Sequence, residues 1–164
     1  MNRAAEDRAA SAQAAEVTRR VRRRLTASID KLRGVTLTPE MLDMVDPERA
    51  ETFDALLKRF EQLYDYAAKQ LLRLGLLASA ENLAGMSARD AFDRAEALGA
   101  KTPAARSMEF AAIRNLLAHA HPLDPEVRAA SVNGAPEAAP DLVAAVDDLL
   151  DLWRRRGLLE GETP

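Results

Sequence analysis

The chain has 164 residues, 48% of them hydrophobic, no cysteine and a formal net charge of −3. That length suits one domain with a proper core and is too short for two comfortable ones, and the apolar fraction argues against wholesale disorder. The absence of cysteine excludes a disulfide scaffold, a thiol nucleophile and a cysteine-based zinc site, and it fits a reducing cytosol.

Helical periodicity runs nearly end to end, β-branched residues are scattered and only seven glycines occur. The expected fold is therefore all-α, an antiparallel bundle of five or six helices joined by short loops. The first segment, residues 3–32, is rich in alanine and arginine and is predicted to be helical at least from Ala14 onward. Its apolar content is thin, so its early part is expected to fray. Residues 1–33 hold nine basic and four acidic side chains, a balance of +5, which leaves −8 for the remainder of a chain at −3 overall. The run "RRVRRR" within it (Arg19, Arg20, Arg22, Arg23 and Arg24) invites contact with RNA phosphates or with an acidic partner. Glu16 and Asp30 dilute that charge, and no aromatic residue lies within 1–52 to stack on bases, so a solvated helix face is the plain alternative.

Thr38-Pro39 and Asp46-Pro47 each read as an N-cap followed by proline at the first helical position. A long helix is predicted from Pro47 to near Leu74, with Phe53, Leu56, Phe60, Leu63, Ala67 and Leu71 recurring as one apolar stripe. Tyr64 and Tyr66 lie two apart on it and cannot both face the core. Ser87 and Asp90 have capping-box spacing, and Gly99 stands where a C-terminal glycine belongs. Thr102-Pro103 opens a helix carrying Met108, Ala112 and Leu116, which Pro122 stops, leaving His121 at or past its end. Asp124-Pro125 opens a short helix that should end near Asn133-Gly134. A last helix, 137–156, sets Val143, Val146, Leu150 and Trp153 on one face. No apolar run approaches bilayer-spanning length and the first residues lack an apolar h-region, so a cytoplasmic protein without signal peptide or membrane contact is expected.

Both histidines fall in "RNLLAHAH", residues 114–121. Arginine offers a fixed fork of donors that matches phosphate oxygens, and histidine trades protons near neutrality. An amide such as that of Asn115 can orient either partner. Arg114, Asn115 and His119 are thus the minimum kit for cleaving RNA without a metal: a base for the 2′-hydroxyl and a cation for the charge developing on phosphorus oxygens. DNA lacks that internal nucleophile. On an ideal helix, however, residues five apart sit about 140° from one another, so a single Arg114 and His119 converge poorly on one phosphate. Two copies across a twofold axis make a better cleft. His121 is a candidate extension of the site; with His119 and Asp124 it is too thin a set for a metal centre, and no metal or cofactor is expected.

The motif resembles the Arg-x-x-x-x-His signature of HEPN domains, in particular the HepT-like toxins encoded beside minimal nucleotidyltransferases. "RFEQLYDYAAKQLLRLG" is similar to that family's long helix, "SARDAFDRAEALGA" to the segment before the motif helix, and "IRNLLAHAHPLDPE" to the motif and its exit; the likeness covers residues 50–156. It implies a HEPN-like bundle over 46–157, preceded by a basic helical extension and linker over 1–45 and followed by a tail over 158–164. It also implies a homodimeric, metal-independent endoribonuclease of a toxin–antitoxin pair, with Arg114 and His119 as the reacting pair and Asn115 in support. RNA would be the substrate and a nucleotidyltransferase the antitoxin partner. Some antitoxins of this kind transfer AMP to a tyrosine two residues after the motif histidine; here position 121 is histidine. The alternative is a non-catalytic HEPN module that docks a nucleotidyltransferase and helps it bind nucleotide or substrate.

Overall fold

The computed structural model describes residues 3–36, 38–41, 44–119 and 125–159. The elements in chain order are α1 (Arg3–Lys31), a 3₁₀ turn (Pro39–Met41), α2 (Pro47–Tyr66), a π-helical turn (Ala67–Leu71), α3 (Leu72–Ala78), α4 (Ala88–Ala97), α5 (Ala104–His119) and α6 (Pro125–Arg155). Helix α2, the π turn and α3 follow one another without a break, so five helices pack together and no described residue is in a strand. No helix among the described residues is long and apolar enough to cross a membrane.

Local chemistry sets the helix starts. The Asp46 carboxylate accepts the Arg49 amide N–H at 3.0 Å, with Pro47 in the first turn where its missing N–H costs nothing. Ser87 and Asp90 form a reciprocal capping box: Ser87 Oγ accepts the Asp90 N–H at 3.1 Å and Asp90 Oδ2 accepts the Ser87 N–H at 2.9 Å. Thr38-Pro39, by contrast, opens only the 3₁₀ turn. The start of α5 borrows its acceptors from elsewhere. Asp148 of α6 takes the Lys101 and Thr102 N–H groups, and Glu96 of α4 takes that of Ala104.

The stripe of α2 is buried throughout: Phe53, Leu56, Phe60, Leu63, Ala67 and Leu71 all face the core, as does Tyr64. Helix α1 packs against α2, α3 and α6. Its buried line, Ser11, Ala14, Ala15, Thr18, Val21, Leu25, Ser28 and Leu32, uses small residues where a longer apolar stripe is usual. Two of the buried hydroxyls are paired, Thr18 Oγ1 donating to the Ala14 carbonyl at 2.7 Å and Ser28 Oγ accepting from Arg59. Small side chains let α1 approach its neighbours closely, which is how a segment of thin apolar content earns a place in the core. On the far side, Trp153 is fully buried against Gly75; a Cβ at Gly75 would lie 2.2 Å from Trp153 Cε2.

The run that opens at Pro47 continues through the π turn to Ala78, past the expected end near Leu74, and the last helix differs most from the sequence expectation. Residues 125–155 form a single helix with no break at Asn133-Gly134, and Pro136 and Pro140 lie inside it. Proline removes a backbone donor and crowds the carbonyl four residues back. Here the two prolines are four apart on one side, half-buried and exposed, while Ala135, Ala138, Ala139 and Leu142 are buried. The lost hydrogen bonds therefore fall towards solvent, and burial of the alanine-rich face carries the helix through.

Candidate functional site

Helix α5 lies against α2 and α6. Ala104, Ser107 and Phe110 are buried, and Met108, Ala111, Ile113 and Leu117 pack against the core. Ala112, Asn115 and Leu116 point outward, Leu116 with 45% of its surface exposed. Arg114 sits on the boundary between these two sides, half-buried, and turns its guanidinium towards α2.

There it meets Asp65. Arg114 Nη2 donates to Asp65 Oδ2 at 2.8 Å, and Lys69 Nζ lies 3.0 Å from Oδ1 of the same carboxylate. Arg114 Nη1 makes a long contact, 3.4 Å, with Asn115 Oδ1, while Nε is buried without a hydrogen-bond partner. Burial pushes the Asp65 carboxyl up, but the hydrogen bonds and charges of Arg114 and Lys69 outweigh it and hold the group below the usual carboxylate range. The hydrogen bond with Asp65 holds the Arg114 guanidinium above its ordinary value. Burial, aided by the Asp65 charge, raises the Tyr64 phenol.

Arg114 and Asp65 open onto a groove of about 360 Å³ whose other walls are Lys58, Glu61, Gln62, Tyr66, Lys69 and Gln70. Lys69 and Gln70 belong to the π turn, in which the Leu72 N–H reaches five residues back to the Ala67 carbonyl. Single π turns inside long helices recur at functional sites. This one adjoins Asp65 and Tyr66. The groove thus combines three cations, two carboxylates, two amides and a phenol.

Of the residues singled out in the sequence, Arg114 and Asn115 are adjacent and in contact. His119 closes α5, five residues beyond Arg114; its imidazole lies outside what the structure describes, as does all of His121. The basic run of α1 divides between two sides. Arg19, Arg22 and Arg23 line a second groove, about 440 Å³, together with Asp147, Leu150, Asp151 and Arg154. Acids share that groove's charge: Arg22 pairs with Asp147 at 2.5 Å, Arg154 with Asp151, and Glu16 lies 4.0 Å from both Arg19 and Arg23. Arg20 and Arg24 are exposed around the helix from them, and the Arg24 carbonyl accepts a long contact from Arg59 at 3.4 Å. Among the described residues no cluster of three or more His, Cys, Asp or Glu is placed to hold a metal ion.

Asp65 was not evident from the sequence as the partner of Arg114, nor were Tyr66 and Lys69 as walls of the same groove. A line of polar residues at Glu61, Asp65 and Lys69 marks one outer face of α2 and the π turn that continues it. Nothing in that spacing points to an arginine 49 positions away. No protein-family model, curated protein or solved structure matches the chain.

Proposed function

We propose that the protein is a toxin-like, HEPN-type endoribonuclease that acts as a homodimer and is paired with a nucleotidyltransferase antitoxin. The observation that carries this is Arg114, held at the edge of a polar groove by Asp65 and placed on the helix that ends in His119. In the proposed step His119 takes the proton of an RNA 2′-hydroxyl and the freed oxygen attacks the adjacent phosphorus. The bond to the 5′-oxygen breaks, and that oxygen takes a proton from the protonated His119 of one of the two copies as it leaves. Arg114 stabilises the negative charge that gathers on the non-bridging oxygens, and Asn115 orients the pair. The products are a 2′,3′-cyclic phosphate and a 5′-hydroxyl.

The five-residue separation of Arg114 and His119 favours two copies of the site, and the exposed Ala112, Asn115 and Leu116 offer a face on α5 for a second copy. The test is cleavage of total RNA and tRNA by purified protein in EDTA, beside Arg114→Ala and His119→Ala. Cleavage that survives chelation and is lost in both variants supports the nuclease.

One observation favours a second reading. The Arg114 guanidinium is already committed to an ion pair, as a structural arginine would be, which suits a binding module docking a nucleotidyltransferase. A folded wild-type protein that leaves RNA intact moves the assignment there.

A further inference from the structure

Resting on that reading, we propose that Asp65 is the positioning residue of the site: its carboxylate, beside Lys69, fixes Arg114 so that the remaining N–H groups of the guanidinium meet the scissile phosphate.

A guanidinium carries five N–H donors in a rigid plane. Asp65 takes one Nη2 hydrogen at 2.8 Å and Asn115 one Nη1 hydrogen at 3.4 Å. One hydrogen remains on each terminal nitrogen for phosphate oxygens to accept. Arginine has several rotatable bonds, and an unheld one must be ordered when substrate binds or when charge develops. A carboxylate on the opposite helix removes that cost beforehand. The carboxylate has a second cation beside it: Lys69 Nζ stands 3.0 Å from its other oxygen, an ion pair in charge and distance. Asp65 and Lys69 straddle the junction of α2 with the π turn. The brace is thus built into the one irregularity of the 32-residue run from Pro47 to Ala78. The Arg114 and Asp65 side chains keep partial exposure, 22% and 30%, so the pair stands at the rim of the groove and not in the core.

The test compares wild type, Arg114→Ala, Asp65→Asn, Asp65→Glu and Lys69→Met in two assays. One follows cleavage of an all-ribose RNA; the other follows binding of a fluorescent single-stranded oligonucleotide with 2′-O-methyl riboses, which lacks the nucleophile. With wild type active, Asp65→Asn should lower kcat by about tenfold or more while KM stays within about twofold, and Asp65→Glu should recover most of the loss. Cleavage by Asp65→Asn at the wild-type rate, with Arg114→Ala inactive, overturns the positioning role and leaves the nuclease intact. Should Asp65→Asn fail to fold, Lys69→Met decides: a kcat reduced by about threefold at unchanged KM supports the brace, and an unchanged kcat overturns it. Should wild type cleave nothing, the nuclease reading falls and the positioning of Arg114 on a scissile phosphate falls with it. With wild type active, near-wild-type affinity of Asp65→Asn for the 2′-O-methyl oligonucleotide is the result expected, and an affinity lowered by about tenfold or more assigns Asp65 to ground-state binding and overturns the positioning role.

Discussion

Asp65 and Arg114 are 49 residues apart in the chain and 2.8 Å apart in space. Against the upward pull of burial, the bonds and charges of Arg114 and Lys69 keep the Asp65 carboxyl below its ordinary value, with Glu61 and Tyr64 also near the pair. A group whose pKa is depressed by folding stabilises the native state above its unfolded value, about 3.9 for aspartate, and loses that contribution as pH falls through the native value. The gap in thermal midpoint between wild type and Asp65→Asn should therefore be constant between about pH 6 and 8 and shrink below about pH 4. Melting curves across that range check it; a gap that widens in acid contradicts the ion pair.

Arg114→Ala should lower kcat/KM for RNA by about a hundredfold or more, the usual cost of removing a donor aimed at developing charge. His119→Ala should cost about 10²- to 10⁴-fold, the range for a general base. Arg114→Lys should restore little, because an ammonium cannot reproduce the planar fork that Asp65 and a phosphate share. Single-turnover cleavage rates separate these three outcomes.

Among the described residues, Leu116 is one of the large apolar side chains left exposed, and Ala112 and Asn115 share its side of α5. In the homodimer proposed above this side meets the second copy. Leu116→Arg should turn a dimer into a folded monomer by sedimentation equilibrium and abolish cleavage with it. A wild-type protein that is already monomeric at micromolar concentration excludes the two-copy site.

Gly75→Ala tests the core. Its new methyl group would sit 2.2 Å from Trp153 Cε2, so α3 and α6 must separate or the indole must leave its fully buried position. Overpacking of this kind costs about 1–3 kcal/mol and occasionally more. Urea denaturation should show that loss, and an unchanged midpoint would mean that α3 and α6 pack less tightly than described.

Much of the fold was legible from residue spacing. The α2 stripe from Phe53 to Leu71 is buried as its three- and four-residue steps require, and the Asp46 and Ser87 caps form where short polar side chains precede helical runs. Legibility failed where alanine dominates. Alanine favours helix without marking a buried side, so α1 conceals a core line of Ser, Ala and Thr, and α5 turns Ala112 and Leu116 outward. It failed again at Pro136 and Pro140, where tertiary burial of neighbouring alanines outweighs a local signal to stop. Arg114 could be singled out because arginine near histidine suggests phosphate chemistry. Asp65 could not, because a contact across two helices leaves no mark in local spacing.

The most direct measurement is the chemistry of the RNA ends left by the wild-type protein in EDTA, read by phosphatase sensitivity and end-labelling. The account predicts 2′,3′-cyclic phosphate and 5′-hydroxyl termini, absent with Arg114→Ala and His119→Ala. Termini of 3′-hydroxyl and 5′-phosphate, or cleavage that stops on chelation, would contradict attack by the 2′-oxygen under the control of Arg114 and His119.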